Sequence, residues 1–225
     1  MAKRTAVIVG STGAIGRQLM PLLLASPHFD KVVVLHHRRT PYAGLAKVDE
    51  RVIDFASIPM PTAGDDLEGV FCCVGTTQKK AGSTEAFQRV DRDVPIALAR
   101  WAAANNATTY VGISSVDARA TARSVYLKTK GQMEGGVAGA GLRSTYILRP
   151  SLLAGGRDEF RLAERVGNRV LAVIGPLMAG PLRKYRAVHT KTVAQAMLVC
   201  AELAEPGVHI VESDAIQDLG QEIGA

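Results

Sequence analysis

Gly10-Ser11-Thr12-Gly13-Ala14-Ile15-Gly16 follows the apolar run Ala6-Val7-Ile8-Val9 and leads into Arg17-Gln18-Leu19-Met20. A buried strand, spaced glycines and a helix start make the turn that cradles a dinucleotide pyrophosphate. Gly10 permits the tight turn, Gly13 lets backbone N–H groups approach the phosphates, and Gly16 lets the helix pack close to the strand. Ser11, Thr12, Ala14 and Ile15 complete the cradle, and the helix N-terminus presents unpaired N–H groups and a positive dipole end. The spacing is G-x-x-G-x-x-G, one residue longer between the first two glycines than in most dehydrogenases. Taken alone, it also fits a strand-to-helix turn with no ligand.

Outward from that turn, strands and helices alternate. Thr5 to Val9 reads as the first strand. The helix that follows carries Ile15, Leu19, Leu22 and Leu23 at helical spacing, with Pro21 expected to kink it, and Ser26-Pro27 ends it. Lys31 to Leu35 is a near-continuous apolar run, as in a parallel strand covered on both faces. Further strands are expected at Arg51 to Phe55, Gly69 to Val74, Thr108 to Ile113, Thr145 to Leu148 and Val208 to Val211. Helices are expected at Glu85 to Asn105 (interrupted by Pro95), from Ser124, at Arg157 to Val166 and at Thr192 to Leu203. The alternation predicts an α/β fold: a doubly wound, Rossmann-type parallel sheet with helices on both faces. The chain reads as a single domain over 1–225, with a small substrate-side region within 151–190.

Composition bounds the function. At 225 residues, 47% hydrophobic and 21% charged, the chain is globular rather than disordered. Cys72 and Cys73 sit in one apolar run and Cys200 in an apolar helical pattern, which reads as buried reduced thiols, not a disulfide framework. No cluster has metal-ligand spacing. Met1-Ala2-Lys3-Arg4 runs straight into the first strand, so no signal peptide is expected, and no run reaches the roughly 18 apolar residues of a membrane span. The expected location is cytoplasmic. The net charge of +6 is concentrated in His36-His37-Arg38-Arg39, Lys79-Lys80 and Arg183-Lys184-Tyr185-Arg186. No nucleic-acid motif accompanies it, so a polyanionic cofactor is the expected partner, not nucleic acid. Val170 to Tyr185, apolar then basic, reads as core-packing helix and loop, with a lid or a contact to a partner or membrane surface as the other readings. A monomer or a homodimer is expected.

The residues after the second strand bear on the cofactor. An acidic residue there would bind the ribose hydroxyls of NAD. This chain has His36-His37-Arg38-Arg39, and guanidinium groups pair bidentately with a 2′-phosphate, so NADP(H) is favoured over NAD(H). Asp54 and Phe55 are placed near the adenine. Gly75 and Thr76, at the carboxyl end of the strand ending at Val74, border the cofactor; ordinary loop chemistry is the other reading of Thr76 and Thr77.

Tyr126 and Lys130 are four apart and share one helix face. A nearby ammonium favours the phenolate, so such a tyrosine can give a proton to a carbonyl oxygen while hydride arrives at its carbon. Lys130 can also hold the nicotinamide ribose hydroxyls. A serine at the end of the preceding strand, Ser114 or Ser115, can hydrogen-bond the substrate oxygen.

These residues together resemble the short-chain dehydrogenase/reductases in their extended or atypical branch, most closely the Tat-interactive-protein-type oxidoreductases. The stretches that carry the resemblance include Phe71-Cys72-Cys73-Val74-Gly75-Thr76-Thr77, Val90-Asp91-Arg92-Asp93, Tyr126-x-x-x-Lys130-Gly131 and Leu148-Arg149-Pro150. The resemblance implies Ser115 as the serine of a Ser115–Tyr126–Lys130 site. It also implies Arg38 and Arg39 at the 2′-phosphate, and Pro150 beside the nicotinamide. The family helix often carries Val-Asn where this chain has Val90-Asp91, so Asp91 is not assigned a catalytic role. The implied activity is NADPH-dependent reduction of a small carbonyl or quinone-like substrate. The alternatives are a cofactor-sensing regulator without turnover and, more weakly, a nucleotide-sugar epimerase.

Overall fold

The computed structural model describes residues 3–55, 57–62, 64–154 and 180–222. β1 (Lys3–Val9) is flanked by β2 (Lys31–His36) and β4 (Asp65–Cys72), both parallel to it. With β3 (Val48–Val52), β5 (Thr109–Ile113), β6 (Ser144–Arg149) and β9 (Gly207–Glu212), they form a seven-stranded parallel sheet in the order β3-β2-β1-β4-β5-β6-β9. The chain direction across the sheet reverses at β1, beside β4. Ligand sites in such sheets lie outside the carboxyl ends of the strands at that reversal.

Both faces are covered. On one lie α1 (Gly16–Ala25) and α6 (Thr190–Leu203), which bury Leu19, Leu23, Val193 and Met197 against Ala6, Ile8, Val32, Val34 and Phe71. On the other lie α4 (Val94–Ala104) and α5 (Val125–Ala138), which bury Leu98, Ala102, Met133 and Val137 against Val7, Val9, Val33, Val70 and Ile147. Alternate residues of β1 thus enter opposite cores, which explains its continuous apolar sequence. Each fully buried aliphatic or aromatic side chain contributes about 1.5–3 kcal/mol. α7 (Ser213–Glu222), not anticipated from the sequence, packs on α6.

Several boundaries differ from those expected. The third strand is Val48–Val52, so Asp54 and Phe55 lie in the loop beyond it rather than at its end. The expectation followed the apolar pair Val52-Ile53. The strand instead lies at the sheet edge, where charged residues serve: Lys31 Nζ meets Asp49 at 3.0 Å and Asp65 at 3.1 Å, and Arg51 meets Asp49 at 2.7 Å. β4 starts and stops earlier than expected, leaving Cys73 and Val74 in the loop above the sheet. Pro21 is accommodated inside α1.

The expected long helix over Glu85 to Asn105 is three pieces. α3 (Thr84–Gln88), after the four-residue α2 (Gln78–Ala81), runs into a π-helical turn, Arg89–Asp93, and then into α4. Pro95 has no N–H to close an α-helical bond onto Asp91, so the ladder widens there, and the Val94 N–H reaches back to the Arg89 carbonyl. Near the carboxyl ends of β5 and β6, Leu153–Ala154 (β7) pairs with Val188–His189 (β8), just beyond a 3₁₀ turn at Gly180–Tyr185. The helix expected at Arg157 to Val166, and most of Val170 to Tyr185, fall outside the described residues. Among the described residues no helix is long and apolar enough to cross a membrane.

Candidate active site

The glycine-rich turn closes as its sequence requires. Gly10 has φ +85°, and a Cβ there would lie 2.6 Å from the Cys73 carbonyl. A Cβ on Gly16 would run into the Gly10 carbonyl, so the start of α1 lies directly against the end of β1. The Gly13 N–H donates to the Gly10 carbonyl at 3.0 Å. The N–H groups of Thr12, Ala14 and Ile15 take no part in the turn's backbone hydrogen bonds, and α1 has neither a capping side chain nor an acidic residue in its first turn. The Ser11 hydroxyl is fully buried without a partner. Ile15 points its side chain into the core, so only its backbone is available to a ligand. Unused donors, an orphaned hydroxyl and a cradle that excludes Cβ atoms fit a bound pyrophosphate.

Beside the turn lies a cleft of about 280 Å³. Gly10, Thr12 and Gly13 form one wall, with His36 and His37 at the end of β2; Phe55, Val74, Val90 and Val94 are its apolar lining, and Gly75 borders it. Phe55 is therefore brought to the cleft, whereas Asp54 is not among its lining residues. Arg38 and Arg39 are exposed just beyond its histidine rim. The His36 ring accepts the Arg38 N–H at Nδ1 (3.3 Å) and lies 3.3 Å from the Thr12 hydroxyl through Nε2. With Nδ1 accepting, Nε2 carries the proton and donates, which leaves the Thr12 hydroxyl free to donate onward. Burial lowers the His36 pKa, with His37 and then Arg38 adding to the effect. His36 is thus a neutral link between the phosphate turn and the basic loop.

Ser114 and Ser115, between which the resemblance favours Ser115, differ in their surroundings. The buried Ser114 hydroxyl donates to Glu134 Oε1 at 2.5 Å. Glu134 in turn receives Arg149 at 2.7 and 2.9 Å, and Arg149 reaches Glu212 at 2.8 Å. Hydrogen bonding to Glu134 raises the Arg149 pKa still further, so the guanidinium stays charged. Ser114 thus joins α5, β6 and β9 and is spent structurally. Ser115 is partly exposed, and its hydroxyl bonds none of the described residues.

α5 places Tyr126 and Lys130 one turn apart. Tyr126 is 40% exposed and lies 6.0 Å from the Phe87 ring. Lys130 is 3% exposed; its ammonium meets Asp91 Oδ1 at 3.0 Å and the Ile113 carbonyl at 3.3 Å. The Ile113 contact ties it to the end of β5, directly before the serine pair. Thr76 donates its N–H to Asp91 Oδ2 at 2.8 Å, while Thr77 caps the short α2. Pro150 is buried, and its carbonyl accepts the Val116 N–H at 3.1 Å, which holds the strand end against the serine loop. Asp91 is the residue that sequence reasoning set aside. Its contact with Lys130 spans a strand and two helices, so no local spacing reveals it. The cysteines are free: burial pushes the Cys200 thiol up to about 12 and raises those of Cys72 and Cys73.

The sheet order, the glycine-rich turn at the sheet reversal and the covered faces define a short-chain dehydrogenase/reductase fold, the Rossmann architecture that binds nicotinamide dinucleotides. No family model matches the chain. Over 177 residues it is 32% identical to Protein FMP52, mitochondrial, of Candida glabrata, covering 78% of this chain and 74% of that protein. It is 29% identical to Protein HTATIP2 of Rattus norvegicus over 99% of this chain and 91% of the relative. Among solved structures, a short-chain dehydrogenase/reductase family oxidoreductase from Burkholderia thailandensis has a TM-score of 0.66 at 18% identity, over 100% of this chain and 98% of that one. MoeE5, solved with UDP-glucose and NAD, has a TM-score of 0.62 at 16% identity, over 98% and 81%. The chain belongs to the family of the FMP52 proteins, within the atypical short-chain dehydrogenase/reductases that include the Tat-interactive HTATIP2 type. The expectation of a cytoplasmic location is withdrawn, because the FMP52 relatives from Candida glabrata, Emericella nidulans and Candida albicans are named mitochondrial.

Proposed function

We propose that the protein is an NADP(H)-dependent oxidoreductase that reduces a small carbonyl or quinone-like substrate through Ser115, Tyr126 and Lys130. The observation that carries this reading is Lys130: a buried ammonium, at the end of β5, one helical turn from a tyrosine whose hydroxyl bonds no described residue. An ammonium has three N–H groups. Asp91 and the Ile113 carbonyl engage two, leaving one for a ribose hydroxyl or the phenol.

The bound dinucleotide supplies the hydride. The turn from Gly10 to Gly16 holds its pyrophosphate, Phe55, Val74 and the backbone of Gly75 line the cleft for its adenosine, and Arg38 and Arg39 meet its 2′-phosphate. Ser115 donates to the substrate oxygen and fixes its position. Tyr126 gives that oxygen its proton, and the Lys130 charge stabilises the phenolate left behind. Pro150 borders the nicotinamide in a single domain; most of the substrate-side region expected within 151–190 lies outside the described residues.

The test is consumption of NADPH with a panel of small aldehydes, ketones and quinones, by wild type and Tyr126→Phe. Turnover should fall by about 10²–10⁴-fold in the variant while NADPH binding persists. Full activity in Tyr126→Phe would overturn the mechanism.

A further inference from the structure

We propose that Asp91 is a positioning residue of this site: its carboxylate clamps the Lys130 ammonium with one oxygen and the Thr76 amide with the other. The lysine and the loop that borders the cofactor are thereby held as one unit. The inference rests on the reading of Lys130 and Thr76 as cofactor-side groups.

The geometry selects a carboxylate. Asp91 is 1% exposed, and Oδ1 and Oδ2 face two different donors, Lys130 Nζ at 3.0 Å and the Thr76 N–H at 2.8 Å. Aspartate offers two acceptors. Asparagine offers one acceptor and one donor, so in this place its amide nitrogen would face either an ammonium or an N–H. The Val90-Asp91 pair is therefore a fitted departure from Val-Asn. The local fold is shaped to deliver it. The π-helical turn Arg89–Asp93 turns Asp91 into the interior while Arg89 and Asp93 stay exposed, and Pro95 removes the N–H that would otherwise restore a regular helix. Gly75 lies close by, with room for a Cβ 3.6 Å from Asp91 Oδ1, so the carboxylate sits directly under the cofactor loop.

The clamp is tested with four proteins: wild type, Asp91→Asn, Lys130→Met and the double variant. Melting temperature and NADPH affinity, the latter by nucleotide fluorescence, are measured on each. Both single variants should melt lower than wild type and bind NADPH roughly tenfold or more weakly. Lys130→Met leaves a buried carboxylate without a counter-charge, so adding Asp91→Asn should raise its melting temperature. In the Lys130→Met background Asp91→Asn should weaken NADPH binding by much less than it does in wild type. Equal, additive effects in both backgrounds would overturn the clamp. Wild-type binding by Asp91→Asn with impaired Lys130→Met would overturn the clamp and leave the catalytic reading standing. Wild-type binding and turnover by Lys130→Met would overturn that reading instead. Should a variant fail to fold, amide exchange on the wild-type chain decides: Thr76 should be protected although it lies in a loop, and rapid exchange at Thr76 contradicts the clamp.

Discussion

At the scale of single residues, the hydroxyl of Ser114 is consumed by Glu134, and that of Ser115 is not. Ser115→Ala should therefore lower turnover with little loss of stability. Ser114→Ala should do the reverse, because it leaves a buried carboxylate short of one donor. Activity and melting temperature measured on the same two preparations check this. The exposed guanidiniums of Arg38 and Arg39 make a second prediction. Replacing both by alanine should weaken NADPH by about 10- to 100-fold and NADH far less, as read by paired titrations. An equal loss for both nucleotides would remove the 2′-phosphate assignment. Tyr126 and Lys130 were legible in the sequence because a helix fixes what lies four residues apart. Asp91 was not, because its partners are distant in sequence and its orientation depends on a π-helical turn that periodicity does not reveal.

At the scale of elements, the glycine-rich turn is set by close approach. Gly10→Ala places a side chain at φ +85° and against the Cys73 carbonyl. The left-handed conformation alone should cost about 1–2 kcal/mol, measurable by urea unfolding, and the clash adds to it. The β3 edge carries a pH-dependent prediction. Hydrogen bonding to Arg51, above all, holds the Asp49 carboxyl below its ordinary range, against an opposing effect of burial. Its stabilising contribution is therefore complete above the ordinary carboxylate range and is lost as pH falls through and below it. Asp49→Asn should melt lower than wild type near neutrality, and the difference should shrink between about pH 5 and pH 2. The same charges explain why β3 was displaced in the sequence reading. Apolar content points to central strands, while this edge strand is secured by Lys31, Asp49, Arg51 and Asp65.

At the scale of the whole molecule, the alternation of strands and helices made the doubly wound sheet legible, because each buried parallel strand is a continuous apolar run. The sheet reversal at β1 then brings the turn, the basic loop after β2, the Thr76 loop and the end of β5 to the carboxyl ends of the strands. The Asp91 carboxylate links Lys130 to the Thr76 loop, whose neighbour Gly75 borders the cleft. The FMP52 and HTATIP2 relatives show that this arrangement belongs to the atypical short-chain dehydrogenase/reductases, and the mitochondrial naming of the FMP52 proteins removes the inference of location drawn from the N-terminal residues. Binding of NADP(H) in the cleft beside Gly10 to Gly16 is read out by thermal melting with NADPH, NADP, NADH and NAD in turn. At a hundredfold excess over Kd a ligand adds about 2.7 kcal/mol, which for a chain of this size raises the melting temperature by roughly 5–10 °C. A shift of this size is expected with NADPH and a smaller one with NADH at the same concentration; no shift with any of the four nucleotides would rule out dinucleotide binding in the cleft.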